Sequence, residues 1–505
     1  ADQYGKVELI GWLYQYYISE KKDEVFDTFK KGKKAEAKDI PAATQIFTPN
    51  WIVKYMVENT AGKAWLDKHP TSPLKGQMTY LVENEADGTR QPIIDRVEDL
   101  TLIDPACGSG HILVEGFDLI YQMYQEEFAS PTEAVKSILE HNLFGLDIDD
   151  RAAQLSTFAV LLKAAQYDRD VWDRGYRPHV YAMPHKRYFD ATEVKTFLSD
   201  QGKGILQRAG DCPEQDAGRQ EPGRSDEAQL SAPAHAFITA RLKELDGAHL
   251  DLFEEATIQD MTPFVRVLLT MTRRYTAVVA NPPYMGQKNM NADLKAYVNK
   301  HYPISKSDLF AVFMELIADM TTDKGAYGIV NLPSWLFLGS FEKLRNEILS
   351  NQSVDSLLHM GRGIFGIDFG SVAFVVRKKL DPASKGTYFK LHERNFQHIY
   401  PEDIARLFRY SNGNSAYRYD FTQYRDDSGV TVIPKNGTEE GLRLFYPNIP
   451  QSNFSRIPGS PIAYWASDKR IEHFKNAEKC QSFNPKVGMQ TSDNQRFLRL
   501  WYECN

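Results

Sequence analysis

The chain has 505 residues, 42% of them hydrophobic and 25% charged, with a formal net charge of −7. This is ordinary globular composition, with length enough for two to four domains. No apolar run reaches the length of a membrane span. A dedicated nonspecific nucleic-acid binder would be basic overall, so any contact with DNA requires a local cationic face or a domain outside this stretch.

The four cysteines, Cys107, Cys212, Cys480 and Cys504, are scattered and form no CxxC pair. Neither a zinc site nor a disulfide framework is implied, no other metal site is indicated, and a reducing cytoplasm is expected. The start at Ala1 carries no initiator Met and no signal-peptide pattern. Together with the abrupt end at Asn505, it leads us to expect a piece of a longer protein.

Leu9, Ile10, Leu13, Tyr14, Tyr17 and Ile18 recur at helical spacing and predict an amphipathic packing helix. The cationic run Lys30, Lys31, Lys33, Lys34 and Lys38 reads first as a solvated loop. In Gln45-Ile-Phe-Thr-Pro-Asn-Trp, Thr48 is a good N-cap and Pro49 suits the first helical position. From about Asp99 to Lys378, short apolar strands alternate with helical patterns, which predicts an α/β sheet. Its strands are expected at 102–103, 143–148, 179–183, 277–280, 327–331, 354–359 and 372–377.

The first strand runs into Asp104-Pro-Ala-Cys-Gly-Ser-Gly-His111. Gly108 and Gly110 let the backbone approach a ligand closely. The helix beginning near His111 turns its free N–H groups toward that ligand. The loop is not GxGxxG, and an acid ends the strand. An acid would repel a pyrophosphate but attracts the ammonium of an amino-acid moiety, so the loop favours S-adenosylmethionine over NAD, with Ala106, Gly108, Ser109 and Gly110 as its contacts. A second acid, Asp147, closes the next strand 43 residues further on, beyond the usual ~20. A helix over about 131–141 accounts for the excess. Asp147 is placed on the cofactor ribose, with Ile148 on its adenine, and Asp149 and Asp150 are read as helix N-terminal acids.

Residues 201–235 are rich in Gly, Pro, Gln, Ser, Asp and Arg and read as a flexible insertion. Next comes the most specific signal in the chain, Tyr275-Thr-Ala-Val-Val-Ala-Asn281-Pro-Pro-Tyr284. Pro282 and Pro283 fix φ and remove two N–H donors. What remains is a rigid corner of carbonyl oxygens and the Asn281 side-chain oxygen, an acceptor-only cradle for an NH2 group. Tyr284 offers a flat face for a planar base. Beyond about Lys385 the pattern is irregular and aromatic-rich.

In this order, Phe47-Thr-Pro, Asp104 to Gly110 and Asn281 to Tyr284 resemble the gamma-class amino-methyltransferases. The resemblance implies that Thr48 lies near the carboxylate of the cofactor's methionine part. It puts Asp308 and Phe310, in Ser307-Asp-Leu-Phe310, beside the cofactor adenine, and Phe365 on the far face of a flipped base, with Phe369 as a rival. Residues around Met183 are candidates for a further contact to the cofactor adenine. Other segments are similar to PglX-type methyltransferases of bacterial BREX phage-defence systems: Ile10-Gly-Trp-Leu-Tyr, Asp39-Ile-Pro-Ala-Ala-Thr-Gln, Phe144 to Ser156 and Ile457-Pro-Gly-Ser-Pro-Ile-Ala-Tyr-Trp-Ala466.

The fold thus expected is a Rossmann-like, S-adenosylmethionine-dependent methyltransferase sheet. A helical N-terminal segment occupies 1–44. The catalytic domain spans 45–385, with an insertion at about 190–265. A connector and the start of a target-recognition region follow over 386–505, with Val487 to Phe497 at its entrance. The implied activity is methylation of adenine N6 in double-stranded DNA, alongside other defence proteins and without a membrane or metal. Two rival readings are a protein-glutamine methyltransferase, which also uses Asn-Pro-Pro-Tyr, and a DNA-binding scaffold with little activity alone. Cys107 is not read as a nucleophile.

Overall fold

A computed structural model describes residues 21–25, 27, 34, 39–44, 46–84, 90–184, 188–190, 192–198, 230, 232–246, 248, 250–365, 369–392, 399–421, 430–432 and 441–476. The helix expected at 9–18, most of the lysine run, most of the 201–235 insertion and Val487 to Phe497 lie outside the described residues.

Each strand predicted from the sequence is present. They are β1 (Leu102–Asp104), β2 (Leu143–Asp147), β3 (His179–Ala182), β4 (Tyr275–Ala280), β5 (Thr321–Asn331), β6 (Ser353–Arg362) and β7 (Gly370–Arg377). The sheet does not stop at residue 385, where the sequence rhythm suggests a boundary. β8 (Lys385–Leu391) and β12 (Phe445–Pro450) join it, giving nine strands in the order β12-β8-β6-β7-β5-β4-β1-β2-β3. Both were hidden by the aromatic-rich, irregular stretch around them. β8 is nevertheless carried into the core by Tyr388, Phe389 and Leu391, all fully buried. A separate antiparallel sheet holds β9 (Tyr417–Tyr419) between β10 (Val430–Val432) and β11 (Leu442–Arg443).

β1 to β5, β6 and β8 run parallel, and β7 and β12 run against them. All six residues of β4 are buried, as expected of a parallel strand covered on both faces. Alternate residues serve two cores: Leu102, Ala277 and Val279 enter one, Ile103, Val278 and Ala280 the other. The first core is covered by helices α1 (Asn50–Val57), α2 (His111–Glu126) and α3 (Asp150–Ala164), and the second by α4 (Leu252–Thr272) and α5 (Leu309–Met320).

The chain leaves β1 toward β2 and β3 on one side, and returns through β4 to β5 on the other. The strand order therefore reverses between β1 and β4, and in open α/β sheets such a crevice at the carboxyl ends of the strands is where ligands bind. The helix over Pro131–Ser137, with its Ser130–Glu133 capping box, continues as a turn over Ile138–Asn142 and supplies the extra length between the two acids. By contact, residues 1–465 form one compact unit and residues 466–505 a second, in which Asp468–Asn476 is helical. Among the described residues, no helix is long and apolar enough to cross a membrane.

Candidate active site

The glycine loop after β1 is pinned from two sides. Cys107 N donates to Leu146 O at 2.9 Å, hooking the loop onto β2. Gly108 N donates to Asp147 Oδ2 at 2.8 Å, and Asp149 N to Asp147 Oδ1 at 2.8 Å. Gly108 and Gly110 take φ of 53° and 82°. A Cβ at Gly110 would also lie 2.5 Å from Ser156 Oγ and 2.9 Å from Ser156 Cα on α3. Gly110→Ala is expected to cost about 1–2 kcal/mol for the left-handed backbone and about 1–3 kcal/mol for overpacking. The check is the urea midpoint; a loss near the backbone cost alone would mean that Ser156 gives way, and a wild-type midpoint would overturn both.

Two acids close this side of the site. Asp104 is fully buried at the end of β1, and Ala106 N donates to its Oδ1 at 3.0 Å. Burial pushes its carboxyl up to about 8, against the pull of that N–H and helped by the nearby Asp147. Burial also raises Asp147, opposed by the backbone N–H groups of Asp149 and Gly108. Two desolvated acids facing one cavity favour a cation, because an incoming positive charge relieves the cost of ionising them. Asp149 caps α3 through Arg151 N, as expected, and also lines the cavity. The Cys107 thiol is raised well above its ordinary value by burial and by both acids, which removes it as a nucleophile at neutral pH.

The opposite wall comes from β4 and the strap ahead of α1. Asn281 Nδ2 donates to Ile46 O at 3.1 Å and to Thr48 Oγ1 at 2.9 Å. The Tyr284 hydroxyl lies 2.9 Å from Asn281 Oδ1 and 3.0 Å from Val330 O, with one proton to give to either. The expected N-cap role of Thr48 is corrected: Pro49 occupies the cap position, α1 begins at Asn50, and the Thr48 hydroxyl is turned to Asn281 instead. The Tyr284 ring meets Phe369 edge-on at 5.8 Å and 82°, and Phe310 at 6.3 Å and 89°. Phe365 packs on Phe369, 6.1 Å away. Of the two rivals, Phe369 thus touches Tyr284 directly.

A cavity of about 330 Å³ lies between these walls, within the range of small-molecule sites. Thr48, Asp104, Ala106, Gly108, Ser109, Asp147, Ile148, Asn281 and Pro283 all line it, as does Met183 at the end of β3. Ile148 is 49% exposed, unusual for an isoleucine at a strand end and apt for a flat ring. Gly110, Pro282, Tyr284, Asp308, Phe310 and Phe365 stand outside the lining. Asp308 caps α5, accepting from Met285 N at 3.0 Å and Phe310 N at 3.3 Å, and burial lifts its carboxyl to about 6. Phe310 is buried behind it, and Leu309 and Phe313 of the same helix line the cavity in its place.

The sequence reading missed His111 as a wall residue. Its ring lies 4.9 Å from that of Phe47, and burial with nearby Lys54 lowers it to about 4, so it is neutral at pH 7. Its position directly behind the glycine loop was the available signal. No group of His, Cys, Asp and Glu suited to a metal ion occurs among the described residues.

This strand order, with acids ending β1 and β2 and an acceptor-only corner after β4, is the Rossmann-like sheet of a methyltransferase. Residues 141–365 match the Eco57I restriction-modification methylase family, and residues 82–192 the MmeI DNA-methyltransferase domain. The whole chain is 35% identical to the adenine-specific methyltransferase BrxX of Escherichia coli O9:H4 (strain HS), and 35% identical to the adenine-specific methyltransferase PglX of Lacticaseibacillus casei (strain Zhang). It spans 41% of the length of each. A solved structure, the ATP-dependent Type ISP restriction-modification enzyme LlaBIII bound to DNA, is more distant, at 14% identity and a TM-score of 0.44 over 73% of this chain and 21% of that one. Over its whole length the chain is thus similar to the PglX-type adenine-specific methyltransferases.

Proposed function

We propose that this chain holds the catalytic core of an S-adenosylmethionine-dependent DNA methyltransferase that acts on adenine N6. The observation that carries the reading is that Asp104 and Asn281, one suited to a cation and the other to an amine, line the same cavity. Asp104 would hold the ammonium of the cofactor, Asp147 its ribose and Ile148 its adenine. The left-handed Gly108, where an added Cβ would meet nothing within 4 Å, leaves the room such a ligand needs. When bound, S-adenosylmethionine supplies an activated methyl group.

The target adenine would leave the duplex to reach the corner after β4. There Asn281 Oδ1 and a backbone carbonyl accept from its amino group, drawing the nitrogen lone pair out of ring conjugation. Tyr284 stacks on the base, with Phe369 or Phe365 on the far side. The polarised nitrogen would take the methyl group that the cofactor supplies, and its surplus proton would pass to water. Alignment carries most of the rate. The relatives' names support adenine as the target, and the similarity to BREX methyltransferases supports marking of self DNA in the cytoplasm beside other defence proteins. The connector and the start of target recognition are assigned to the parts of 386–505 outside the strands that join the large sheet.

The test is to incubate the full protein with methyl-labelled S-adenosylmethionine and either duplex DNA or a glutamine-containing protein acceptor, then separate the nucleosides and the protein. Label in N6-methyl-2′-deoxyadenosine is expected. Label confined to a glutamine-containing protein acceptor would replace this reading with protein methylation.

A further inference from the structure

We infer that Thr48 is a positioning residue for the methyl acceptor, holding the Asn281 carboxamide in its working orientation. This rests on the reading of Asn281 given above. The orientation of the carboxamide follows from its partners. Ile46 O can only accept, so the amide nitrogen must face it at 3.1 Å. Thr48 Oγ1, 2.9 Å from the same nitrogen, takes the second N–H. With both N–H groups engaged, Oδ1 is left facing the Tyr284 side of the corner.

Tyr284 then has a choice. Its single hydroxyl proton can go to Asn281 Oδ1 or to Val330 O, at nearly equal distances. When a substrate amine donates to Oδ1, the hydroxyl can turn to Val330 O at the cost of little more than a rotation. Thr48 is buried, 6% exposed, and its hydroxyl oxygen accepts from the amide, which leaves its own proton free to serve the cavity it lines. Ile46 and Thr48 also line the cavity whose far wall carries Asp104. One strap therefore borders the donor site and orients the acceptor group. The contact spans 233 residues of chain.

The test compares Thr48→Val, which keeps the shape and loses the acceptor, with Thr48→Ser, which keeps the acceptor. In the full protein at saturating S-adenosylmethionine, Thr48→Val should lower kcat about tenfold, the worth of one buried hydrogen bond. Thr48→Ser should restore most of that rate. Selective 15N-asparagine labelling reads the orientation itself. The side-chain NH2 pair absent from Asn281→Ala should shift in Thr48→Val and return toward its original position in Thr48→Ser. Weaker cofactor binding by Thr48→Val with kcat intact at saturation would make Thr48 a cofactor contact and overturn the proposal, as would an unmoved NH2 pair. If the unsubstituted protein methylates no DNA, the function reading fails, and the NH2 shift still decides the role of Thr48.

Discussion

Asn281→Ala is expected to lower kcat by about 10²–10³, the usual loss when one preorganised polar contact to the reacting group is removed. The corner after β4 has two prolines and therefore two missing N–H donors, so Asn281 Oδ1 is its one side-chain acceptor for an amine. The carboxamide is tied to Ile46 and Thr48 through its nitrogen, which leaves the oxygen already aimed and saves the reorganisation a mobile side chain would need. Cofactor affinity should hold, because the acids that favour a cation end β1 and β2 and do not touch Asn281. Asn281→Asp is a sharper probe: it keeps the oxygen but sets a carboxylate against the Ile46 carbonyl, so it should fall nearly as far. Single-turnover methyl transfer measures both. An Asn281→Ala enzyme close to wild-type turnover would remove this residue from the chemistry.

Asp104→Asn should weaken S-adenosylmethionine binding about ten- to a hundredfold, from the ~1.5–3 kcal/mol carried by a charged, buried hydrogen bond. The raised carboxyl adds a pH signature. With its value near 8, Asp104 is mostly protonated in the free protein at pH 7, whereas an ammonium ligand needs it ionised. Binding should therefore release close to one proton between about pH 6 and 7, and tighten about tenfold per pH unit up to about 8. Stability of the free protein runs the other way. A carboxyl raised on folding contributes fully below its unfolded value, near 4, and that contribution is lost as pH rises through about 8. Asp104→Asn should flatten both dependences. Calorimetry in buffers of different ionisation heat counts the proton. Unchanged affinity together with an unchanged proton count would take Asp104 out of the cofactor site.

How much of this was legible in the chain follows from the range of the interactions involved. Strand periodicity, the glycine loop, the acids ending β1 and β2, and the double proline after β4 are local, each set by residues within a few positions of one another. The seven predicted strands were found where the sequence put them, and nine of the candidate site residues line one cavity. The roles that needed distant partners were not readable. Thr48 looked like a helix cap because Ser, Thr and Asn before a helical run usually are; its bond to Asn281, 233 residues away, exists only once the strap folds over β4. Asp308 and Phe310 carry a family pattern, but α5 turns Leu309 and Phe313 into the cavity and leaves Asp308 to cap and Phe310 to pack. β8 and β12 became strands because a buried sheet edge lay beside them and their backbone N–H and C=O groups needed partners. In this protein the sequence alone determined which chemistry each segment offers. Tertiary packing decided which side chains face one another, because hydrogen bonds across hundreds of residues leave no periodic trace in the chain.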